Sequence, residues 1–231
     1  MPGAPPALRA SLRERVLELS GREPLPELLD VTLEQVPLPG GPATVARPAD
    51  WQVLREAEAE AGRDAPYWAI LWPSGEALAD EVARRPPAPG AAVLELGCGL
   101  ALPSLAAARA GARVLATDAS PDAVAFAAHT LALDEQEGEV TAIDWREPRL
   151  LLERGPWDLV LAADVLYLQR NVATLQDLLP KLITPGTEAW IADPGRAGAD
   201  ELLAWAPARF EVSSRPSARH EAVTIHRLRA R

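Results

Sequence analysis

Four carboxylates recur at the ends of short apolar segments of the chain. They are Glu95, Asp118, Asp144 and Asp164. Each segment has the length and composition of a buried strand, so each acid is expected at or beside the carboxyl end of a strand. In open α/β sheets, ligands bind at that edge. The pattern therefore predicts one acidic pocket whose carboxylates accept hydrogen bonds from a ligand.

A glycine turn follows the first of these strands, with Gly97 and Gly99 on either side of Cys98. Glycine allows a tight turn and a close approach of the backbone to a ligand, and Asp118, 21 residues after Gly97, is spaced to bind ribose hydroxyls. A dinucleotide site favours a third glycine where Leu102 stands. A positively charged, phosphate-free adenosine ligand suits an acidic pocket better, and S-adenosylmethionine (SAM) is such a ligand. Taken singly, the turn and the acid also fit a plain strand-to-helix connection.

The elements that position these residues alternate from residue 91 onwards. Strands are predicted at 93–96, 113–117, 139–143, 158–163, 188–192, 208–212 and 222–228, and helices at 101–110, 121–133, 172–181 and 198–205. Such alternation is typical of βαβ units and a parallel sheet covered on both faces. The last two strands have no helix between them and predict a hairpin. We expect an α/β fold: a Rossmann-like, doubly wound seven-stranded sheet, mostly parallel, with an antiparallel C-terminal hairpin.

The first 63 residues do not follow this alternation and predict an N-terminal helical and irregular extension. Helices are expected at 8–19 and, capped by Asp50, up to residue 61, with short strands or turns in the proline-rich stretch 22–50. An aromatic segment then leads into a helix at 76–85. The predicted boundaries are 1–63 for the extension and 64–231 for the domain that carries the sheet.

The composition excludes several classes of protein. The 231 residues include 23 basic and 33 acidic side chains, a net charge of −10, which argues against nucleic-acid binding through phosphates. Lys181 is the only lysine and Cys98 the only cysteine, so no intramolecular disulfide forms. No secretory signal or membrane span is visible, which predicts a cytoplasmic protein without a membrane partner. The three histidines lack the spacing of metal ligands, so no metal is expected.

Several motifs together resemble a known family. The run 93–99 resembles the first motif of class I SAM-dependent methyltransferases. The segments 144–145 and 162–167 are similar to those of seven-stranded protein-lysine methyltransferases. The segments 66–73 and 193–196 resemble one branch, the electron transfer flavoprotein β-subunit lysine methyltransferases and their bacterial relatives. The resemblance implies a methyltransferase domain over most of the predicted sheet domain.

The resemblance implies roles for the residues of the pocket. Nine residues, including Glu95 of the first motif, are expected to bind SAM. They are Trp72, Glu95, Gly97, Cys98, Gly99, Asp118, Asp144, Trp145 and Ala163. Gly97 to Gly99 would cradle the methionine part, Asp118 the ribose, and Asp144 with Trp145 the adenine. An aromatic face also attracts a cationic sulfonium, which suits Trp72. The alternative for the two tryptophans is hydrophobic core.

Asp164 and Tyr167 are the candidate catalytic residues. Asp164 would orient an incoming ammonium and Tyr167 would form a pocket wall; the alternatives are a strand-end cap and simple packing. Arg196 would face an acidic partner surface or solvent. The implied function is methyl transfer to a lysine amine of a partner protein. Two alternatives stay open: a small-molecule acceptor, as in nicotinamide N-methyltransferases, and a non-catalytic binding module of the same fold.

Overall fold

The computed structural model describes residues 4–231, with eight α-helices and nine strands in that range. The helices are α1 (Pro6–Ser20), α2 (Trp51–Glu60), α3 (Pro73–Arg84), α4 (Leu102–Arg109), α5 (Pro121–Leu133), α6 (Arg149–Glu153), α7 (Gln169–Leu182) and α8 (Ala197–Trp205). The strands are β1 (Val31–Val36), β2 (Ala43–Pro48), β3 (Ala92–Leu96), β4 (Arg113–Asp118), β5 (Glu139–Ala142), β6 (Leu159–Ala163), β7 (Glu188–Asp193), β8 (Phe210–Pro216) and β9 (Thr224–Ala230). Single 3₁₀ turns lie at Tyr67–Ala69 and Ala206–Ala208.

Seven strands form one sheet in the order β5-β4-β3-β6-β7-β9-β8. The first five are parallel, and β9 pairs antiparallel with both β7 and β8. The chain moves outwards from β3 in one direction and then resumes at β6 in the other. The ends of β3 and β6 are therefore the point where the order reverses, which is where such sheets bind ligands. The predicted fold class and its antiparallel C-terminal hairpin are confirmed.

Two apolar layers cover the sheet. Successive strand side chains point to opposite faces, so Val93 lies in one core with Phe126 of α5, while Leu94 lies in the other with Leu175 of α7. All five residues of β3 are buried, as expected for a central parallel strand. Because β3 is held in the core, the glycine turn that follows it has a fixed position at the carboxyl edge of the sheet.

The N-terminal residues share the core of the sheet. Strands β1 and β2 form an antiparallel hairpin, and α1 and β2 pack against α5. Leu12 of α1 is fully buried in the same apolar cluster as Phe126, and Arg22 pairs with buried Asp122 at 2.9 Å. The domain boundary between residues 63 and 64 stays a prediction. In the structure, residues on both sides of this boundary share one apolar core.

Most predicted elements are found, with differences at their ends. The predicted helix at 76–85 begins at Pro73, because proline suits the first helical turn, where its missing N–H is not needed. The helix predicted at 172–181 begins at Gln169, where no side chain caps the terminus. The short helix α6 was not predicted. The final strands lie about two residues later than expected, because a 3₁₀ turn occupies Ala206–Ala208.

Lys181 lies exposed in the last turn of α7. Between residues 4 and 231, no helix combines the length and apolar character that crossing a bilayer requires.

Candidate functional site

A cavity of about 630 Å³ opens at the carboxyl edge of the sheet where the strand order reverses. That volume is ordinary for a site that takes a small molecule. All eleven predicted site residues line it: Trp72, Glu95, Gly97, Cys98, Gly99, Asp118, Asp144, Trp145, Ala163, Asp164 and Tyr167. The structure thus brings every one of them to one place, although it assigns no ligand to any.

The glycine turn needs both of its glycines for packing. Gly97 has φ +67°, and a Cβ there would lie 3.0 Å from Cγ1 of Val165 and 3.2 Å from the Trp145 ring. Gly99 has φ +51°, and a Cβ would lie 3.1 Å from the Trp68 carbonyl oxygen. Other side chains are strained in this backbone region. Both glycines are therefore required for packing against protein atoms, and both line the cavity, where close approach to a ligand stays a prediction.

Asp118 at the end of β4 is tied to this turn. Its Oδ2 accepts from the Gly99 N–H at 3.0 Å, and its Oδ1 accepts from the Ser120 N–H at 2.9 Å. Burial raises the pKa of its carboxyl, an effect that these hydrogen bonds oppose. A carboxylate offers about four lone-pair positions, so about two remain for a ligand. Two vicinal hydroxyls of a ribose would use both.

Glu95 lines the cavity and is held by the start of α4, while its contact with the cofactor stays a prediction. Its carboxylate accepts from the Ser104 N–H at 2.9 Å and is hydrogen-bonded to the Ser104 hydroxyl, so it holds the first turn of α4. Burial raises the pKa of Glu95 to about 8. It is therefore largely protonated at neutral pH and adds little negative charge to the cavity.

Asp144 and Trp145 follow β5 at the other side of the turn. The Arg146 guanidinium is hydrogen-bonded to both oxygens of Asp144 and lowers the pKa of that carboxyl to about 2. The Trp145 ring lies against Gly97 and packs on the core of the α7 face. The Trp145 ring both lines the cavity and contributes to the core, and its contact with the adenine stays a prediction.

Aromatic side chains line the opposite wall. The Trp72 indole N–H donates to the Tyr67 carbonyl oxygen at 2.9 Å, and the two rings have centroids 6.5 Å apart. Tyr67 is also 6.0 Å from Tyr167. Burial raises the pKa of Tyr167. These rings form the rim of the cavity. Tyr67 belongs to the segment 66–73 that carries the family resemblance, but it was not among the predicted site residues.

Asp164 follows β6 with φ +57°, and its side chain is only 5% exposed. Its Oδ1 accepts from the Arg196 Nε–H at 2.6 Å, and its Oδ2 accepts from the Ser74 hydroxyl at 3.3 Å. The sequence suggested that Arg196 faces a partner surface or solvent. Arg196 is the counter-ion of this buried carboxylate, an ion pair that was not predicted, and its own side chain is 34% exposed.

The cavity is consequently less acidic than four carboxylates suggested. Glu95 is largely protonated, and Asp144 and Asp164 are each paired with an arginine. Neither Glu95 nor Asp118 has a cationic partner among the described residues, and of these two only Asp118 is left with acceptor capacity for a ligand at neutral pH. The site thus has one free acceptor group over β4 rather than a uniformly negative surface.

The remaining candidates have simple environments. Cys98 is buried, and burial raises the pKa of its thiol, which makes it a poor nucleophile. Ala163 ends β6 and leaves space beside the turn. Each histidine is engaged elsewhere, and no histidine lines the cavity. Within residues 4–231, no group of three or more metal-binding side chains is placed to hold an ion.

Comparison with known protein families identifies the family of the chain. A model described as "Lysine methyltransferase" matches residues 64–202, more than half of the chain. The chain belongs to the lysine methyltransferase family. The match begins in the segment before Tyr67 and ends within α8, so it contains every residue of the cavity described above. The proposed resemblance to this family is confirmed.

Curated relatives of this lysine methyltransferase-family protein include the electron transfer flavoprotein beta subunit lysine methyltransferases. The Xenopus laevis protein is 37% identical over 136 residues, which cover 57% of this chain and 54% of the relative. The Homo sapiens protein is 35% identical over 135 residues, again 57% of this chain and 50% of the relative. The chain thus spans about half the length of these relatives. A Mus musculus histone-arginine methyltransferase is 29% identical over 202 residues, 82% of the chain and 73% of the relative.

Solved structures agree on the fold. The Thermus thermophilus 16S rRNA N2 G1207 methyltransferase, in complex with AdoMet and guanosine, has a TM-score of 0.63 at 16% identity and covers 90% of this chain and 52% of that one. A TehB-like SAM-dependent methyltransferase from Corynebacterium glutamicum has a TM-score of 0.55 at 16% identity, covering 78% and 96%. The fold of the family member described here is therefore that of the SAM-dependent methyltransferases.

Proposed function

We propose that the protein is a SAM-dependent N-methyltransferase that methylates a lysine amine of a partner protein. The observation that carries the proposal is the cavity at the reversal of strand order, in a chain of the lysine methyltransferase family. By analogy with the named relatives, an electron transfer flavoprotein β-subunit is the first acceptor to test.

The side chains that line the cavity fit SAM. Asp118 has acceptor capacity left for the ribose hydroxyls, and Trp145 offers an apolar ring face beside the adenine position. Asp144 can accept from the adenine amino group only by sharing its oxygens with Arg146. Trp72, Gly97, Cys98, Gly99 and Ala163 would surround the methionine part, with Glu95 supporting the turn beneath it through Ser104. Bound SAM supplies a methyl group on a positively charged sulfur.

The residues of the chain supply position rather than acid or base groups. Methyl transfer to an amine is an in-line displacement, and alignment of the two reactants accounts for much of the rate. Tyr67, Trp72 and Tyr167 form an aromatic rim, which suits the long apolar stem of a lysine. An amine that enters the cavity past this rim loses part of its hydration, and this loss favours its neutral form.

An oxygen acceptor is less well supported, although curated relatives include an O-methyltransferase of Xylella fastidiosa. A hydroxyl must lose a proton to react well, which requires a base or a metal ion. The described part of the cavity contains no histidine, and the described residues contain no metal-binding cluster. A small amine or nitrogen heterocycle remains the second candidate, because the same cavity would serve it.

The test is transfer of a labelled methyl group from SAM. Purified protein is incubated with tritiated SAM and the electron transfer flavoprotein β-subunit, and separately with nicotinamide. Mass spectrometry then locates the added mass. Methylation of a lysine of the β-subunit supports the proposal; methylation of nicotinamide alone would replace it with the small-molecule alternative. Binding of SAM without transfer to either, or to any component of a cell extract, would favour a binding module.

A further inference from the structure

The Asp164 carboxylate is held from two sides. Arg196 donates to Oδ1 through Nε at 2.6 Å and forms an ion pair with the same oxygen through Nη2 at 2.5 Å, and the Ser74 hydroxyl donates to Oδ2. The Asp164 N–H also donates to the Ala192 carbonyl oxygen at 2.9 Å. A carboxylate that is 5% exposed and fixed in this way cannot turn towards an incoming ammonium without breaking these contacts.

Arg196 is in turn placed by the end of β7. The Oδ1 atom of Asp193 accepts from the Gly195 and Arg196 N–H groups, both at 2.7 Å, and Asp193 is fully buried. The Arg196 guanidinium lies 6.0 Å from the centre of the Tyr167 ring. The arginine therefore stands between the carboxylate and the aromatic rim in a position set by the backbone.

The order of strands separates this pair from the residues predicted to bind the ribose and the adenine. Asp118 and Asp144 follow β4 and β5, on one side of the glycine turn, whereas Asp164 and Arg196 follow β6 and β7, on the other side. Neighbouring strands lie about 4.8 Å apart. If Asp118 and Asp144 bind the ribose and the adenine, the side of the site that carries the pair is the one left for an acceptor.

A lone carboxylate at this position would oppose the reaction. A nearby negative charge stabilises an ammonium, while burial disfavours it. A lysine amine attacks only when neutral, although its ordinary pKa is about 10.4. An arginine that neutralises the carboxylate removes the attraction for the ammonium and leaves the effect of burial.

We propose that Arg196 is a specificity-determining residue: as the fixed counter-ion of Asp164, it makes the acceptor end of the cavity favour a neutral alkylamine over an alkylammonium. The inference rests on the proposed function, since it takes the acceptor to be an amine. Arg196 acts through Asp164 and through the charge of the wall, and it is not assigned any contact with the reacting atoms.

Other ionisable groups surround the pair and are the same in every variant compared. Tyr167 adjoins it, with Tyr67, Asp118 and Arg170 acting on that ring. Asp193 acts on the pair from the end of β7, and His226 of β9 lies near Asp193. Glu95 of the same cavity ionises between about pH 7 and about pH 9, because its pKa is about 8, and it does so in every variant alike. A difference between variants in the preference for the charged or neutral amine is therefore attributable to the pair.

The experiment uses n-butylamine as a surrogate of the lysine side chain. It is titrated into the protein saturated with S-adenosylhomocysteine at about pH 7 and about pH 9, with binding followed by the indole N–H resonances of Trp72 and Trp145. Between these values the neutral fraction of an alkylamine rises about 100-fold. Wild-type protein is expected to bind butylamine more tightly at the higher pH by a comparable factor.

Substitution of Arg196 should reverse this preference. Arg196→Met leaves the Asp164 charge uncompensated, so affinity at about pH 7 should increase about tenfold, the size of one charge-assisted contact, and the rise with pH should shrink to less than about tenfold. The double variant Asp164→Asn/Arg196→Met removes both charges and should regain the wild-type rise. Arg196→Lys keeps the counter-ion and should resemble the wild type even if its geometry is looser.

Three results would overturn the proposal. They are the same pH dependence in wild type and Arg196→Met, no recovery in the double variant, and no butylamine binding to the wild type at about pH 9. Circular dichroism and thermal unfolding establish that each variant is folded, and Arg196→Lys provides the comparison if the methionine variant is not. The titration involves no methyl transfer. Failure of the proposed function would instead appear as absence of labelled product from wild-type protein.

Discussion

The backbone N–H of Gly99 donates to the Asp118 carboxylate at 3.0 Å, so the turn after β3 and the acid at the end of β4 form one unit. This hydrogen bond holds the Asp118 carboxylate beside the glycine turn, although Gly99 and Asp118 are 19 residues apart along the chain. The same oxygens that shape the turn are those proposed to bind the ribose. Cofactor affinity and turn geometry should therefore change together.

Substitution of Asp118 tests this coupling. In Asp118→Ala, the ribose hydroxyls and the Gly99 N–H lose a charged acceptor, and such hydrogen bonds contribute about 1.5–3 kcal/mol each. The affinity for SAM, measured by calorimetry, should fall at least tenfold. Asp177→Ala, at an exposed position of α7, serves as the matched control. Unchanged affinity in a folded Asp118→Ala protein would place the ribose elsewhere.

Glu95 should make the stability of the protein depend on pH. Its pKa rises from an ordinary 4.5 to about 8 on folding, so the folded state binds a proton more tightly than the unfolded chain. This contribution is complete below about pH 4.5, decreases as the pH rises, and is lost above about pH 8. Glu95→Gln, which cannot ionise, should show a flatter decline.

Urea unfolding at several pH values between these limits measures the difference for Glu95. The exposed Glu60→Gln on α2 is the control, and its stability should follow the wild-type curve. An identical decline in Glu95→Gln and wild type would mean that Glu95 is ionised in the folded protein at neutral pH.

Gly198 should tolerate no side chain. A Cβ at this position would lie 2.3 Å from the Leu166 carbonyl oxygen and 2.8 Å from Cγ2 of Val172. Gly198→Ala must therefore displace the turn that carries Asp164 and Tyr167, at a cost of about 1–3 kcal/mol or more. Thermal unfolding should show the loss. Gly75→Ala on α3 meets no atom within 4 Å and should stabilise the helix by about 0.5–1 kcal/mol; equal melting temperatures for the two variants would contradict the contact at Gly198.

The Arg22–Asp122 pair should couple the N-terminal residues to α5. The Asp122 side chain is 5% exposed, and loss of the partner of a buried charge costs about 3–5 kcal/mol. Because Arg22 is partly exposed, Arg22→Met is expected at or below the low end of that range. Adding Asp122→Asn should recover part of the loss, and chemical denaturation of the two single variants and the double variant gives the coupling energy. Strict additivity would show that the pair contributes nothing.

The regular part of the fold was predictable because its signals are local. Apolar runs and helical spacing identified all seven strands of the large sheet, and Ser120 with Pro121 defined the start of α5. The acids at strand ends were predictable for the same reason, since parallel strands present their carboxyl ends at one edge.

The electrostatics of the site could not be predicted in this way. Asp164 pairs with Arg196, 32 residues away along the chain, and Glu95 with Ser104, nine residues away. No sequence pattern around Arg196 or Ser104 predicts these contacts. Burial, which decides that Glu95 is largely protonated, depends on the whole core. The aromatic role of Tyr67 likewise depends on a turn that brings it opposite Tyr167.

Lys181 gives the protein a practical property as a reagent. It is the only lysine in these 231 residues, and it lies seven residues beyond Thr174 on α7, about 10 Å along the helix at 1.5 Å per residue. Thr174 is the last α7 residue that lines the cavity, so the amine of Lys181 lies outside its own molecule's site. Any methyl group acquired by this lysine must come from a second molecule. Self-labelling would then scale with the square of the protein concentration, whereas labelling of an added acceptor scales linearly, and dilution alone separates the two signals.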